Sequence, residues 1–188
     1  MPSLRLFIAI DTPSPIKTQI SAIQSRLRHA GTDVKWESVD KFHITLKFLG
    51  NTTDHLLPAC VTCTREIAER FPPLSVAYRN IGCFPDEREP KIVWAGVDDP
   101  SGNLERLHKA IDQAFQQLGF ESEQRAFYPH VTIGRVKSQH NIRGLITTME
   151  SVTLESQPVQ ITEVALMKSE LHSSGSVYTA LQAFQLGG

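Results

Sequence analysis

A four-residue pattern occurs twice in this chain of 188 residues: His43-Ile44-Thr45-Leu46 and His130-Val131-Thr132-Ile133. Both copies read H-x-T-x with apolar x, and they start 87 residues apart (130 − 43), close to half the chain. Each sits in a run that predicts a β-strand, Phe42 to Leu49 and His130 to Val136. Successive side chains on a strand point to opposite faces. The His and Thr of each copy therefore share one face, and the aliphatic pair shares the other. A fold that buries Ile44, Leu46, Val131 and Ile133 in its core presents the histidines and threonine hydroxyls on the other side of those strands. Halves related by a pseudo-twofold would bring both pairs to one cleft.

The remaining elements narrow the fold class. Arg5 to Asp11 reads as a buried strand. Thr12 and Pro13 open a helix, as cap and first-turn proline, with Ile16, Ile20, Ile23 and Leu27 on one face and Gly31 beyond its end. Val34 to Trp36 is a short strand. Asp54 to Arg70 predicts a second helix, with Pro58 in its first turns and Pro72-Pro73 after it. Leu74 to Tyr78 and Lys91 to Val97 predict strands either side of a polar, proline-bounded loop, 84–90. A third helix starts at Ser101, lines up Leu104, Leu107, Ile111, Phe115 and Leu118, and stops at Gly119. His140 to Met149 is a helix or a loop. Val159 to Met167 and Val177 to Phe184 are the last strands, joined by a Ser173-Ser174-Gly175-Ser176 turn. Strands and helices mix without strict βαβ alternation, which predicts α+β with antiparallel sheets and helices on their outer faces. No linker or low-complexity tract divides the chain, so residues 1–188 are expected to fold as one unit.

Composition sets the partners. The formal net charge of −1 lacks the basic excess of a protein that coats long stretches of nucleic acid. An RNA ligand would be held at one end, through few phosphates and with a shallow salt dependence. The apolar run Leu6 to Ile10 is too short for a signal-peptide core, and no stretch is long enough to span a membrane. The cytoplasm is the expected compartment. Cys60, Cys63 and Cys83 are an odd count without a secretory signal, which argues against disulfides. Cys60 and Cys63 form a C-x-x-C, but no second C-x-x-C or close His pair completes a zinc set, so they read as small apolar helix residues.

Two imidazoles and two hydroxyls suit phosphoryl chemistry. Histidine titrates near neutrality, so one ring takes a proton while the other gives one. Threonine hydroxyls donate hydrogen bonds to non-bridging phosphate oxygens, where negative charge gathers. Neither motif holds a carboxylate of the kind that phosphoesterase metal sites use, so no metal is assigned. The five other histidines receive no role: His29 and His108 read as solvated on helices, His55 lies near a helix start, and His140 and His172 lie in turn-like segments. Phe48 is placed in the core and Trp36 and Trp94 are placed between the halves. Tyr128 is a candidate for stacking on a base. Lys47 shares the parity of His43 and is read as solvated.

The paired motif resembles that of the two-histidine (2H) phosphoesterase superfamily, and within it the bacterial and archaeal RNA 2′,3′-cyclic phosphodiesterases, also called 2′-5′ RNA ligases. The likeness is carried by Leu6-Phe7-Ile8-Ala9-Ile10-Asp11, Trp36, the run from His43 to Gly50, Val93-Trp94-Ala95-Gly96-Val97, the run from Pro129 to Arg135, and Ser169, Gly175, Tyr178 and Leu181. The resemblance implies a bilobal α+β fold, with two antiparallel sheets in pseudo-twofold symmetry about a central cleft and helices outside. It implies that His43 donates a proton to the departing 3′ oxygen and that His130 accepts one from water, giving a 2′-phosphomonoester. Thr45 and Thr132 would hold the phosphate, as would Arg135. By strict alternation Arg135 points away from His130, unless the strand bulges near Gly134. Reversal with an RNA 5′-hydroxyl would form a 2′-5′ linkage. The implied partner is RNA bearing a 2′,3′-cyclic phosphate end, or a nucleotide, with no cofactor and a monomeric chain. Two alternatives stay open: the same pair acting on a small cyclic nucleotide or related cyclic phosphate, and a non-catalytic module that binds an RNA end or a nucleotide.

Overall fold

Nine strands and four α-helices make up the fold of this computed structural model, which describes residues 3–173 and 175–187. Met1, Pro2, Gly188 and Ser174 of the expected turn lie outside the described residues. In chain order the elements are β1 (Ser3–Asp11), α1 (Ser14–Arg28), β2 (Val34–Trp36), β3 (His43–Thr53), α2 (Leu57–Ala68), β4 (Leu74–Phe84), β5 (Ile92–Asp98), α3 (Asn103–Gln117), β6 (His130–Val136), α4 (Ile142–Glu150), β7 (Val159–Ile161), β8 (Glu163–His172) and β9 (Gly175–Gln185). The α+β class follows, and 142–150, left between helix and loop by the sequence, is helical. Helix α2 begins at Leu57, after a 3-10 turn over Asp54–Leu56. Pro58 then falls in the first helical turn, where its missing N–H costs nothing.

The strands follow one antiparallel path, β7-β4-β5-β6-β3-β1-β8-β9, with β2 paired to β6 beside it. Two separate sheets were expected. The two halves are joined instead between the motif strands, and by a single residue pair, Ile44 with Val131. Farther along β6 its edge is taken by β2, from Trp36–Gly134 to Val34–Val136. This junction covers two inner edges that would otherwise carry unpaired backbone groups. A contact of one residue pair leaves no pattern in the sequence.

Ile44, Leu46, Val131 and Ile133 are fully or almost fully buried in the core, with Leu6, Ile8 and Ile10 of β1. Ile16, Ile20 and Leu27 of α1 and Leu104, Leu107, Ile111 and Phe115 of α3 complete that layer. Cys60 is buried and Cys63 half-buried on α2, and burial pushes the Cys60 thiol up to about 11, so it stays protonated and inert. Among the described residues no helix is long and apolar enough to cross a membrane.

Candidate active site

His43 and His130 stand at the first positions of β3 and β6, the strands that meet at Ile44 and Val131. The antiparallel pairing sets each histidine near the threonine of the other motif. Both imidazoles are fixed in the same way. Nδ1 of His43 donates to the Lys41 carbonyl at 2.6 Å, and Nδ1 of His130 donates to the Tyr128 carbonyl at 2.6 Å. A proton committed to Nδ1 leaves Nε2 of each ring as the reactive nitrogen. The Thr45 hydroxyl lies 3.1 Å from Nε2 of His43. Burial lowers the pKa of both rings below the ordinary 6.5. For His43 the bond to Lys41 and the charges of Asp11 and Glu37 work upward against burial. For His130 the bond to Tyr128 works upward, while the positive charge of Arg135 adds to the lowering.

Aromatic rings hold each imidazole. Phe7 and Tyr178 lie 5.1 Å and 5.4 Å from the His43 ring. Phe84 lies 5.1 Å from the His130 ring, and Trp94 and Tyr128 pack on Phe84 at 5.2 Å and 5.5 Å. Trp94 was expected between the halves. It is the cross-strand neighbour of Thr132 and thus shares the histidine face, lying over Gly82, where a Cβ would come within 2.3 Å of the indole. Phe84, expected in the loop 84–90, is instead the last residue of β4, and Phe7 and Tyr178 entered the sequence reading only through the resemblance. Only the sheet order brings them to the histidines.

The register of both motif strands departs from strict alternation at a matched position, and β3 shifts once more at Leu49. Ala9 and Ile8 of β1 face Thr45 and Lys47, so Leu46 is the extra residue of a bulge. Trp94 and Val93 of β5 face Thr132 and Gly134, so Ile133 is the extra residue there. Past each bulge the faces exchange. Phe48, expected in the core, is 67% exposed, with its ring 6.0 Å from Phe7. Lys47, expected in solvent, is buried and ion-paired to Asp112 of α3 at 2.5 Å, with a further bond to the Glu121 carbonyl. His108, expected on a solvated helix face, is buried against Phe127, with Nδ1 donating to the Leu46 carbonyl at 2.8 Å. Asp112 and the Glu121 carbonyl thus satisfy the ammonium that the bulge turns inward, and His108 satisfies the Leu46 carbonyl, as buried polar groups require. Trp36 packs against the core at the β2–β6 pair, with the Arg28 guanidinium 5.6 Å over its ring.

Arg135, past the bulge at Ile133, is exposed and lies within electrostatic reach of His130 and Tyr178. Its Nε is 3.0 Å from a carboxylate oxygen of Glu37, a residue the sequence reading passed over. The Glu37 side chain is only 12% exposed and also lies 4.0 Å from the Lys41 ammonium. Its main chain is pinned as well: its N–H donates to the Ile133 carbonyl, and its carbonyl accepts from Gln24 of α1. One carboxylate therefore links the approach to β3 with the end of β6. The assembled chemistry is two imidazoles whose Nδ1 atoms are committed to backbone carbonyls, two hydroxyls and a guanidinium. That set can bind a phosphate and move protons on either side of it. Among the described residues no group of three His, Cys, Asp or Glu side chains is placed to hold a metal ion.

Comparison with known proteins agrees with this geometry. A family model described as the 2′-5′ RNA ligase superfamily matches residues 12–172. The chain is 32% identical over 186 residues to an RNA 2′,3′-cyclic phosphodiesterase of Methanothermobacter thermautotrophicus, covering 97% of this chain and 99% of that one. It is 31% identical over 180 residues to one of Methanocaldococcus jannaschii, covering 95% and 99%. Among solved structures, E. coli LigT complexed with 3′-AMP superposes with a TM-score of 0.78 at 26% identity over the whole of both chains. A Thermus thermophilus protein superposes with a TM-score of 0.84 at 24% identity, covering 98% of this chain and 99% of that one.

Proposed function

Since the chain belongs to the 2′-5′ RNA ligase superfamily, we propose that it hydrolyses RNA 2′,3′-cyclic phosphate ends to 2′-phosphomonoesters by two-histidine acid–base catalysis. The observation that carries this reading is the matched pinning of His43 and His130 through Nδ1, on strands that meet beside both motifs. Relatives along nearly the full chain are named RNA 2′,3′-cyclic phosphodiesterases, which supports the substrate class.

In this mechanism Nε2 of His130 takes a proton from water as the oxygen attacks phosphorus. The bond from phosphorus to the 3′ oxygen breaks, and protonated His43 gives its proton to that oxygen. The product carries a 2′-phosphate and a free 3′-hydroxyl. Thr45, Thr132 and Arg135 hold the non-bridging oxygens as charge builds on them. The neighbouring charges support this order of roles. Asp11 and Glu37 favour the protonated form of His43, and Arg135 favours the neutral form of His130. The negative charge of a bound phosphate favours protonated His43 further. With an RNA 5′-hydroxyl in place of water, the reverse path forms a 2′-5′ linkage. The matched Nδ1 bonds of the two histidines and the matched bulges at Leu46 and Ile133 support the pseudo-twofold cleft. Both histidines come from one chain, so a monomer suffices.

The test is an RNA oligomer ending in a 2′,3′-cyclic phosphate, incubated in EDTA with wild type, His43→Ala and His130→Ala. Wild type is expected to yield a 2′-phosphate, and each variant to lose about 10²–10⁴-fold in rate. Turnover that depends on added metal, or that survives in either variant, would sink the mechanism.

A further inference from the structure

Outward from each histidine stands a packed ring, and outward from that an exposed one. On the first side the order is His43, Phe7, Phe48: buried Phe7 lies 5.1 Å from the imidazole and 6.0 Å from Phe48. On the second side it is His130, Phe84, Tyr128: half-buried Phe84 lies 5.1 Å from the imidazole and 5.5 Å from Tyr128. Phe48 is 67% exposed and Tyr128 53% exposed. Among the described residues they are the only exposed phenylalanine, tyrosine or tryptophan. The two rings are not copies of one another in the repeat. Phe48 follows its histidine, and in the second half Arg135 holds that place. Tyr128 precedes its histidine instead. Tyr128 is held at both ends. Its carbonyl accepts from Nδ1 of His130 at 2.6 Å, and its ring packs on Trp94 at 5.2 Å as well as on Phe84. A ring ordered in advance loses little freedom when a base lies against its open side.

We infer that Tyr128 is the platform for the base of a second nucleoside, the one whose 5′-hydroxyl takes the place of water at His130. This rests on the cyclic-phosphate reading above and deepens it, by naming what sets the choice between hydrolysis and 2′-5′ joining. Attacking and leaving oxygens lie in line on opposite sides of phosphorus. The leaving 3′ oxygen is at His43, so the nucleoside that carries the cyclic phosphate extends toward Phe48. The attacking 5′ oxygen is at Nε2 of His130, so its nucleoside extends toward Tyr128. Its proton passes to His130 as the bond from the 5′ oxygen to phosphorus forms. The bond from phosphorus to the 3′ oxygen breaks, and His43 protonates that oxygen. Water needs no platform. A 5′-hydroxyl must displace water, which is far more concentrated, and a base stacked on Tyr128 raises its local concentration at the imidazole. Every base has a face to stack, so the platform selects a nucleoside without selecting a sequence.

The test mixes an RNA oligomer ending in a 2′,3′-cyclic phosphate with a second oligomer that bears a 5′-hydroxyl and is kept below saturation. Initial rates of joined and hydrolysed product are measured, and their ratio is the readout. Wild type is expected to form both. Tyr128→Ala should lower the ratio of joined to hydrolysed product about 5- to 150-fold, the span of one base stack, while Tyr128→Phe and Phe48→Ala keep it within about twofold. The loss should lie in KM for the 5′-hydroxyl oligomer. A Tyr128→Ala enzyme with the wild-type ratio would overturn the platform. So would one in which both products fall together, since the ring would then be a support for His130. A ratio that falls in Phe48→Ala instead assigns the second nucleoside to the other side and also overturns it. Hydrolysis by wild type with no joined product overturns the platform and leaves the cyclic-phosphate reading standing. Absence of both products overturns that reading, and the platform with it.

Discussion

Replacing Asp112 by asparagine tests whether the network under the β3 bulge holds the motif strand. The Asp112 carboxylate accepts from Lys47, from the Ser122 hydroxyl and from the Glu123 N–H. Burial works to raise its pKa, but these bonds outweigh burial and bring it from 3.8 to about 2. A group whose pKa is depressed by folding stabilises fully above its unfolded value and loses that contribution as pH falls through the folded value. At about 1.4 kcal/mol per unit, the displacement is worth about 2 kcal/mol at pH 7. Asparagine also strands the Lys47 ammonium, whose side chain is 3% exposed. The total loss should reach the 3–5 kcal/mol (an approximate range) typical of breaking a buried pair. Urea titrations of wild type and Asp112→Asn at pH 7, 5, 3 and 2 check this. The difference should stand at roughly 3–5 kcal/mol at pH 7 and 5, then shrink by about 2 kcal/mol between pH 4 and 2 as wild type gives up its own contribution. A difference under about 1 kcal/mol at pH 7, or one that does not change with pH, would refute the reasoning.

Three further outcomes follow from the site. Both histidines are lowered below 6.5 by burial, and kcat/KM reports the free enzyme. Its profile should therefore peak on the acid side of neutrality and fall as pH rises through 7, because the proposed donor loses its proton. Arg135→Gln should move the acid limb upward and Glu37→Gln should move the alkaline limb downward; an alkaline limb above pH 8 would contradict this. Phe48→Ala removes an exposed ring beside Phe7. If that ring stacks on a base it supplies roughly 1–3 kcal/mol, so KM should rise about 5- to 150-fold with little change in Tm, and an unchanged KM for a purine-ended RNA would remove it from the substrate path. Binding of an RNA end through the cyclic phosphate and few others predicts a shallow salt slope, about −0.7 for each phosphate neutralised. A slope beyond about −3 would mean a wider phosphate footprint.

How far the sequence could be read was decided by periodicity. The H-x-T-x repeat placed His43, Thr45, His130 and Thr132 on strands and their aliphatic neighbours in the core, because period-two alternation holds up to the fourth residue of each motif. The helices were legible from their apolar faces, as with Ile16, Ile20, Ile23 and Leu27. Residues beyond the β3 bulge were misplaced for one reason, that a single inserted residue inverts parity; in β6 the sequence had tied the reach of Arg135 to a bulge near Gly134, and the bulge lies at Ile133. Lys47 and Phe48 exchanged their expected positions, and His108 turned inward to meet the Leu46 carbonyl that the bulge freed. Glu37 and Lys41 could not be assigned from spacing at all. They precede β3 in an irregular segment, and their relation to Arg135 exists only through the β2–β6 pairing.

The two bulges fall at the same place in the repeat, on Leu46 and on Ile133, the last residue of each motif. Without them, Lys47 and Gly134 would face the histidines, and Phe48 and Arg135 would face the core. With them, the residue five places after each histidine returns to the histidine's own side. In the first half that residue is a phenylalanine, and in the second it is an arginine. The repeat is therefore symmetric in its histidines and threonines and asymmetric in what stands next to them. Arg135 lowers His130, while Asp11, across β1 from His43, and Glu37 raise His43. Burial lowers both imidazoles, and the nearby carboxylates and guanidinium act on top of it in opposite directions. In the mechanism proposed for this chain, those opposed charges suit His43 as the acid and His130 as the base.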